Sequence, residues 1–293
     1  MSIVGFIGVG TMGAPMARNV ARGGHRVRAF DLDLAAVDGL ADAGIERASS
    51  AADAARDVDI LITMLPNSSH VEQAAFGADG FAAVLPRGAL YIDMSTIAPA
   101  TTDAIAARMA EAGIAMVDAP VGRQQSHAVA GKLLIMAGGA AEHVERARAI
   151  LSLMGDTIIH CGAVGTGSRM KIVNNYMSIA LNSLAAEALV LAERSGLDPD
   201  LARQVMLGTV AGQGHFGTTY PAKVLRGDLA PGFMIDLAMK DLRLALDLAE
   251  SLNAPAETGT AAQTAYESAR SAGRGREDWT AVYAATRRRA GLG

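Results

Sequence analysis

The sequence contains a single cysteine, Cys161, among its 293 residues. One thiol cannot form a disulfide within the chain, so a fold that depends on internal disulfides is excluded. This cysteine usage fits a reducing compartment, and we expect the protein to be cytoplasmic.

The chain also lacks an excess of positive charge and a long apolar run. Its formal net charge is −4, which gives no general attraction to nucleic acid or to an anionic membrane. The N-terminal segment has no basic region of the kind that starts a signal peptide. The most apolar later segment, Ile179 to Ala192, contains Asn182 and Glu187, and it is too short to span a bilayer. We therefore expect a soluble protein.

Metal-ligand patterns are missing as well. The six histidines show no ligand spacing, and there is no second cysteine. The sequence therefore predicts no metal site.

What is present is an alternation of two kinds of pattern. Up to about residue 162, short β-type runs alternate with amphipathic helical stretches, and after the glycine-rich segment CGAVGTG (161–167) only helical patterns follow. Such alternation predicts a mostly parallel sheet covered by helices. The predicted strands are Ile3–Ile7, Val27–Phe30, Ile60–Leu65, Leu90–Met94, Ala115–Val117, Leu133–Ala137 and Thr157–Ile159, and the predicted later helices are 168–194, 199–207, 234–252, 257–271 and 278–289.

A glycine motif follows the first predicted strand. Gly8, Gly10 and Gly13 form G-x-G-x-x-G around Thr11 and Met12, and Asp31 ends the second predicted strand. This context is typical of dinucleotide binding, because the glycines admit a pyrophosphate and the acid accepts hydrogen bonds from a ribose. Asp31 would repel a 2′-phosphate, which favours NAD(H) over NADP(H). The alternative is an ordinary tight turn followed by a surface aspartate.

The motif completes the fold prediction. We predict an α/β chain in which an N-terminal Rossmann-type, doubly wound, NAD-binding domain (1–162) precedes an all-α C-terminal domain (163–293) for substrate binding and oligomerisation. Ligands of such sheets bind at the carboxyl ends of the strands. Leu65 and Thr96, at two further strand ends, are therefore candidates for cofactor binding.

A thin polar stripe interrupts an otherwise apolar helix in the segment RMKIVNNYMSIALN (169–182). The spacing of Lys171, Asn174, Asn175, Ser178 and Asn182 places them on one helical face. A lysine in a closed, largely apolar cleft loses hydration, which lowers its pKa and suits it to proton transfer. The alternative is a snorkelling lysine with incidental asparagines.

Three segments together resemble the β-hydroxyacid dehydrogenase family, which includes 3-hydroxyisobutyrate dehydrogenase: GFIGVGTMGAPMARNV, DAPVGRQQSHAVAGKLLIMAGG and KIVNNY. The resemblance covers nearly the whole chain. It implies a Rossmann domain followed by a helical domain, with Lys171 as the catalytic acid/base. It also implies that Lys240 approaches the cofactor; by periodicity alone, Lys240 could be a solvated helix lysine.

One departure from the family pattern concerns the substrate. Most members read D-x-P-V-S-G-G where this chain has Gly122 and Arg123 in place of the usual serine and first glycine. A guanidinium suits an anion with several oxygens. With other segments of the helical domain, the pattern is similar to a branch that reduces 3-sulfolactaldehyde during sulfoquinovose degradation. It implies that Gly122, Arg123, Asn174, Asn175, Tyr176, Met177 and Ser178 bind the substrate.

The expected reaction is thus NADH-dependent reduction of 3-sulfolactaldehyde to 2,3-dihydroxypropane-1-sulfonate. Succinic semialdehyde, 3-hydroxyisobutyrate or a related carboxylated substrate is the main alternative, because carboxylate and sulfonate both satisfy an arginine. An imine reductase and a non-catalytic dinucleotide-binding protein are further alternatives. The apolar C-terminal helices and the resemblance together suggest a homodimer or homotetramer.

Overall fold

The computed structural model describes residues 1–215, 217–251 and 253–291. The chain divides into two compact units, Met1–Asn175 and Tyr176–Gly293. Among the described residues, no helix combines the length and the apolar character needed to cross a bilayer. Side chains outside the description are those of Ser183, Leu237, Lys240, Asp241, Leu244, Asp247, Leu248 and Ser251.

Six parallel strands form the larger part of the sheet in the first unit. They are β1 (Ile3–Ile7), β2 (Arg26–Phe30), β3 (Glu46–Arg47), β4 (Ile60–Thr63), β5 (Leu90–Asp93) and β6 (Ala115–Asp118). Their order across the sheet is β3–β2–β1–β4–β5–β6, and every neighbouring pair is parallel. The chain order reverses between β1 and β4, which is where open α/β sheets bind ligands.

Three more strands extend the sheet beyond β6: β7 (Val121–Gly122), β8 (Leu133–Gly138) and β9 (Gly155–Gly162). β8 runs antiparallel to both β6 and β7, whereas β9 pairs in parallel with β8. The short β7 follows directly after Asp118-Ala119-Pro120. β6 and β7 therefore run in the same direction along one edge of β8, and the stretch with the family motif continues from one to the other.

Seven helices accompany these strands. They are α1 (Gly13–Arg22), α2 (Leu34–Asp38), α3 (Ala51–Ala55), α4 (Ser68–Phe76), α5 (Pro99–Glu111), α6 (Gln125–Val129) and α7 (Ala141–Leu151). Several start at residues that favour a helix start: Ser50 caps α3, Asn67 caps α4, and Pro99 is the first residue of α5.

The core of the first unit lies on both faces of the sheet, because alternate side chains of each strand point to opposite faces. On β1, Val4 and Phe6 belong to one buried cluster with residues of α1 and α7. Ile7 belongs to a second cluster with residues of α3, α4 and α5. Burial on both faces explains the almost continuous apolar runs of these strands.

The regular structure after β9 is helical. They are α8 (Thr166–Arg194), α9 (Pro199–Leu207), α10 (Val210–Gln213), α11 (Thr219–Ala222), α12 (Ile235–Ser251), α13 (Glu257–Ala269) and α14 (Val282–Arg289). The second unit contains a small buried cluster around Ile235 and Met239, with Ala269, Ala281 and Ala285.

The predicted fold class is confirmed: a Rossmann-type sheet is followed by helices. Two short strands, β3 and β7, were not predicted, because two-residue strands carry no periodic signal. The division into compact units falls at Asn175 within α8. The start of α8 belongs to the first unit because its backbone N–H groups bond to Asp118 at the end of β6. The predicted domain boundary at 162/163 stays a prediction.

Candidate active site

A pocket of about 660 Å³ opens at the carboxyl ends of β1, β2 and β4. Its walls come from the glycine turn before α1, the end of β2, the start of α3, and α4 with the loop that follows it. Seven of the predicted cofactor residues line it: Gly8, Gly10, Thr11, Met12, Gly13, Asp31 and Leu65. Thr96 is not among the lining residues and lies exposed after β5.

The three glycines of the turn have different steric roles. A Cβ on Gly8 would overlap the Met64 carbonyl, and Gly8 also has a φ of +93°. A Cβ on Gly13 would overlap the Gly8 carbonyl oxygen, so Gly13 lets α1 pack closely on β1. Gly10 has open space where its Cβ would be. The turn therefore leaves one face free for a diphosphate, as dinucleotide-binding folds require.

The N-terminus of α1 is open to an anion. Within the described chain, the N–H groups of Thr11, Met12 and Gly13 have no acceptor. No side chain caps this end, and its first turn holds no acidic residue. Free N–H groups at a helix start bind phosphate well.

Asp31 lies beside the turn and is held by backbone. Its carboxylate accepts hydrogen bonds from the N–H groups of Val9 (2.8 Å) and Asp33 (2.9 Å). The remaining lone pairs are available to ribose hydroxyls. The carboxylate is therefore fixed in the pocket wall before any ligand binds.

One arginine of β2 and one of β3 are bound to groups other than Asp31. Arg28 donates to the carbonyl oxygens of Asp53 (3.0 Å) and Arg56 (3.1 Å). Arg47 forms an ion pair with Asp38 at 2.9 Å. No arginine or lysine is among the residues that line the pocket.

A buried hydrogen-bond network supports the β4 and β5 ends. The Ser95 hydroxyl accepts from the Leu65 N–H (2.9 Å), and Asp93 accepts from the Ser95 N–H (3.0 Å) and the Thr63 hydroxyl (2.8 Å). Burial raises the pKa of Asp93. The network fixes Leu65 in the pocket wall.

Lys171 lies on the second turn of α8 and is half-buried. Among the described residues, its amine has no hydrogen-bond or ion-pair partner. Burial lowers the pKa of this amine, in the direction that the sequence predicts. The Asn174 amide donates to the Asn175 side-chain oxygen at 3.4 Å.

The other predicted residues on α8 differ in exposure. Tyr176 and Ser178 are exposed, and Met177 is intermediate. The side chain of Lys240 lies outside the described residues, so its predicted role stays a prediction.

The start of α8 is bonded to a residue that the sequence did not point to. Asp118, at the end of β6, is buried, and its carboxylate accepts from the N–H groups of Gly165 and Ser168, both at 2.6 Å. Burial raises the pKa of Asp118 to about 6, although these hydrogen bonds act in the opposite direction. An aspartate beside the motif glycine and arginine was visible in the sequence, but its partners 47 and 50 residues later were not.

Arg123 follows β7 and has a φ of +74°, a conformation that non-glycine residues seldom adopt. In this structure its guanidinium does not project freely: it donates to Asp156 (2.6 Å), to the Lys132 carbonyl (2.5 Å) and to Thr157 (3.3 Å). The predicted anion ligand is therefore paired with a carboxylate of the same chain. Gly122, just before it, is buried on β7.

No metal centre is evident in the part of the chain that the structure describes, since no three His, Cys, Asp or Glu side chains there could hold an ion. The predicted lack of a metal stays a prediction.

Comparisons with known proteins agree with this geometry. Residues 3–162 match a family model described as the NAD binding domain of 6-phosphogluconate dehydrogenase. Residues 165–286 match one described as the NAD-binding part of NADP-dependent 3-hydroxyisobutyrate dehydrogenase.

Among curated proteins, 3-sulfolactaldehyde reductase of Escherichia coli K12 is 51% identical, with 100% of this chain and 98% of the relative aligned. The NAD-dependent L-serine dehydrogenase of Pseudomonas aeruginosa is 37% identical, with 96% and 97% aligned.

Solved structures have the same fold. The 3-hydroxyisobutyrate dehydrogenase of Mycobacterium tuberculosis, solved with L-serine, is 35% identical over 98% of this chain and 99% of its own, with a TM-score of 0.69. An imine reductase of Myxococcus stipitatus with NAD+ has a TM-score of 0.89 at 18% identity, covering 98% and 99%, and this likeness shows the fold alone.

Proposed function

Because the chain belongs to the β-hydroxyacid dehydrogenase family and is an NAD-dependent oxidoreductase, we propose that it reduces 3-sulfolactaldehyde to 2,3-dihydroxypropane-1-sulfonate in sulfoquinovose degradation. The observation that carries this choice of substrate is the 51% identity over the full length to 3-sulfolactaldehyde reductase. Arg123 within the substrate motif supports it, because a sulfonate offers three oxygens to a guanidinium.

NAD(H) is the cofactor of this chain, and we propose a preference for NADH over NADPH. Asp31 in the pocket wall supports the preference, since a fixed carboxylate repels a 2′-phosphate. The positions of Arg28 and Arg47 support it too, because both guanidiniums are bound to other groups. Bound NADH supplies the hydride that the aldehyde carbon receives.

Lys171 is proposed as the proton donor. As the carbonyl carbon gains a hydride, its oxygen gains charge, and the protonated amine gives this oxygen its proton. Burial lowers the pKa of Lys171, so the amine gives up a proton more readily near neutral pH. The amine is also uncommitted among the described residues, which leaves its N–H groups for the substrate.

Substrate binding is proposed for residues before and after Lys171. On α8, Asn174 and Asn175 would orient the carbonyl or the lysine, with Tyr176, Met177 and Ser178 following on the same helix. Gly122 and Arg123 would bind the acidic end, and Lys240 and Thr96 would complete the cofactor contacts, as in the family pattern.

Arg123 would have to exchange partners when the anion binds. Its guanidinium donates to Asp156 at 2.6 Å, and its side chain is about one third exposed. An exposed ion pair of this kind contributes little to stability, so a sulfonate competes with Asp156 at little cost. We propose that the substrate anion replaces this carboxylate on Arg123.

A carboxylated aldehyde remains the second candidate, because a carboxylate also pairs with Arg123 and relatives such as 3-hydroxyisobutyrate dehydrogenase act on other substrates. The test is kcat/KM for 3-sulfolactaldehyde, succinic semialdehyde and methylmalonate semialdehyde, each with NADH and NADPH. We expect the sulfonate and NADH to be preferred. A tenfold or greater preference for a carboxylated aldehyde would contradict the proposed substrate.

A homodimer or homotetramer is also proposed, together with a cytoplasmic location that rests on the single cysteine. Apolar side chains on α8 are largely exposed in the single chain, including Val173 (64%), Tyr176 (76%) and Ile179 (70%). Exposed apolar patches often mark association surfaces. Light scattering measures the subunit number, and a monomer at micromolar concentration would contradict the proposal.

A further inference from the structure

We propose that Asp118 is a positioning residue for Lys171: its buried carboxylate fixes the first turn of α8, and so sets where the Lys171 amine lies. This inference rests on the proposed function of Lys171 and deepens it. Asp118 itself need not touch the substrate.

The carboxylate uses both oxygens on one turn of backbone. Oδ1 accepts from the Gly165 N–H and Oδ2 from the Ser168 N–H, each at 2.6 Å. These donors lie on either side of Thr166, where α8 begins. Hydrogen bonds to an ionised acceptor are shorter and stronger than neutral ones, so the helix start is held at two points by one side chain.

Glycines shape the space around this carboxylate. A Cβ on Gly138 would lie 2.5 Å from Oδ1, and one on Gly167 would lie 3.0 Å from Oδ2. Gly165 has a φ of +87°, which turns its N–H toward Asp118. The glycine cluster before α8 is therefore a carboxylate-binding turn and not merely a flexible connection.

The connection to Lys171 is one helical turn long. Ser168 and Lys171 are three residues apart and lie on the same face of α8. Ser168 is buried, and its hydroxyl also bonds to that of Thr102 at 3.0 Å. A displacement of the helix start would move the amine with it, and a misplacement of ~1 Å at a reacting group can reduce the rate by about 100-fold.

Asp118 also connects the two segments proposed to bind substrate. Asp118 is the last residue of β6, and the chain continues from it through Pro120 to Gly122 and Arg123, while its side chain bonds to the start of α8.

A second interaction at the same turn is the ion pair between Arg169 and Asp103, but both side chains are about half exposed. The exposed pair provides a matched control for the buried carboxylate.

The experiment compares Asp118→Asn with Asp103→Asn. The asparagine keeps the shape but offers one acceptor in place of two. We expect D118N to reduce kcat by about 10- to 100-fold, to leave the Kd for NADH within about twofold, and to speed hydrogen exchange in a peptide spanning 164–171. D103N should change kcat by less than about twofold. Unchanged kcat in D118N, or an equal loss of NADH affinity, would overturn the inference.

A second pair of variants covers the case in which D118N does not fold. Gly165→Ala keeps the carboxylate but strains the donor turn at φ +87°, and its Cβ would also lie 2.5 Å from Asp103 Oδ1 and 2.6 Å from Arg169 Nη1. Gly88→Ala introduces the same backbone strain at φ +88° in open space, and D103N controls for the loss of the Asp103–Arg169 ion pair. We expect a lower kcat with normal NADH affinity for G165A only. Equal effects of the two alanines would overturn the inference.

The two proposals fail differently. If the wild-type chain turns over a carboxylated aldehyde instead, the proposed substrate is wrong, and the same kcat comparison on that aldehyde still decides the role of Asp118. If Lys171→Ala keeps its turnover, the proton donor is wrong. The exchange rate of 164–171 in D118N then reports separately whether Asp118 holds the helix start.

Discussion

Two helices, α1 and α8, begin in opposite ways. At the start of α1, the N–H groups of Thr11, Met12 and Gly13 have no acceptor within the described chain, and no acidic residue lies in the first turn. At the start of α8, the N–H groups of Gly165 and Ser168 are both bound to the buried Asp118. One end is left open to an anion, and the other is closed by the protein's own carboxylate.

The contrast shows how one physical feature serves two purposes. Every helix start presents free N–H groups and a partial positive charge, so it attracts an anion. When the ligand supplies the anion, the end is a binding site, as we propose for α1. When a side chain supplies it, the end is an anchor, as at α8, and the residues of the next turn acquire a fixed position. The following changes test this comparison.

Lys171→Ala leaves both helix starts intact and removes only the proposed proton donor. We expect kcat to fall by about 10²- to 10⁴-fold while the Kd for NADH stays near its wild-type value. Steady-state kinetics and a fluorescence titration with NADH measure the two quantities. Arg203→Ala, which removes an exposed arginine paired with Asp200 on α9, is the control and should behave as wild type. Full turnover in K171A would remove Lys171 from the mechanism.

Protonation of the Asp118 carboxylate should stabilise the folded state. Burial raises the pKa of Asp118 from about 3.8 to about 6, so the folded state binds a proton more tightly than the unfolded state does. The stability from this group is therefore fully present below about pH 4 and is lost as the pH rises through 6. A shift of about two units corresponds to ~3 kcal/mol.

Urea unfolding of the wild type and of D118N at several pH values between 4.5 and 7.5 measures this effect. We expect the wild type to lose stability relative to D118N as the pH rises, because asparagine does not titrate. A difference that grows in favour of the wild type over this range would mean that the Asp118 pKa is not raised.

Arg123→Ala tests whether Arg123, five residues after Asp118, binds the acidic group of the substrate. A charged hydrogen-bond partner is worth about 1.5–3 kcal/mol, so kcat/KM for acidic aldehydes should fall by about 10- to 100-fold, mainly through KM. Neutral aldehydes should be little affected. Arg148→Ala, which removes an exposed arginine paired with Glu145, is the control, and an equal loss for neutral aldehydes would argue against anion binding.

Asp156→Asn sharpens that test, because it frees the Arg123 guanidinium from its partner at 2.6 Å. If the substrate must replace Asp156, KM should fall by up to about fivefold, the range of an exposed ion pair. A raised KM would mean instead that Asp156 holds Arg123 in its binding position.

Thr11→Asp closes the open end of α1 with a carboxylate, as Asp118 closes α8. Repulsion of the diphosphate should weaken NADH binding by about tenfold, since charges at a helix start contribute up to ~1–2 kcal/mol. Thr11→Asn has nearly the same shape without the charge and should bind NADH almost normally. Equal affinities in the two variants would mean that the diphosphate lies elsewhere.

The cofactor end could be predicted from sequence because its signals are local. Gly8, Gly10 and Gly13 lie within six residues, and their steric roles follow from the turn itself. Asp31 follows at the spacing that a β-α-β unit requires. The pocket residues at the start of α3 were missed, since β3 before them is only two residues long and carries charged side chains.

The substrate side could be predicted only in part. The stripe headed by Lys171 follows from helical periodicity, and the motif with Arg123 follows from the family resemblance. Neither reveals that Asp156 pairs with Arg123 or that Asp118 holds α8, because these partners are separated by 33 to 50 residues. Such pairs form only when the sheet brings β6, β7 and β9 together.

By itself, the sequence determined the Rossmann-type unit, its NAD(H)-binding turn and the polar face of α8, because turn geometry and helical periodicity depend on neighbouring residues. The tertiary structure decided which helix start is left open to an anion and which is held by the protein's own carboxylate. That distinction depends on where a single buried carboxylate lies, and its position is set by the strand order of the sheet and not by any local pattern.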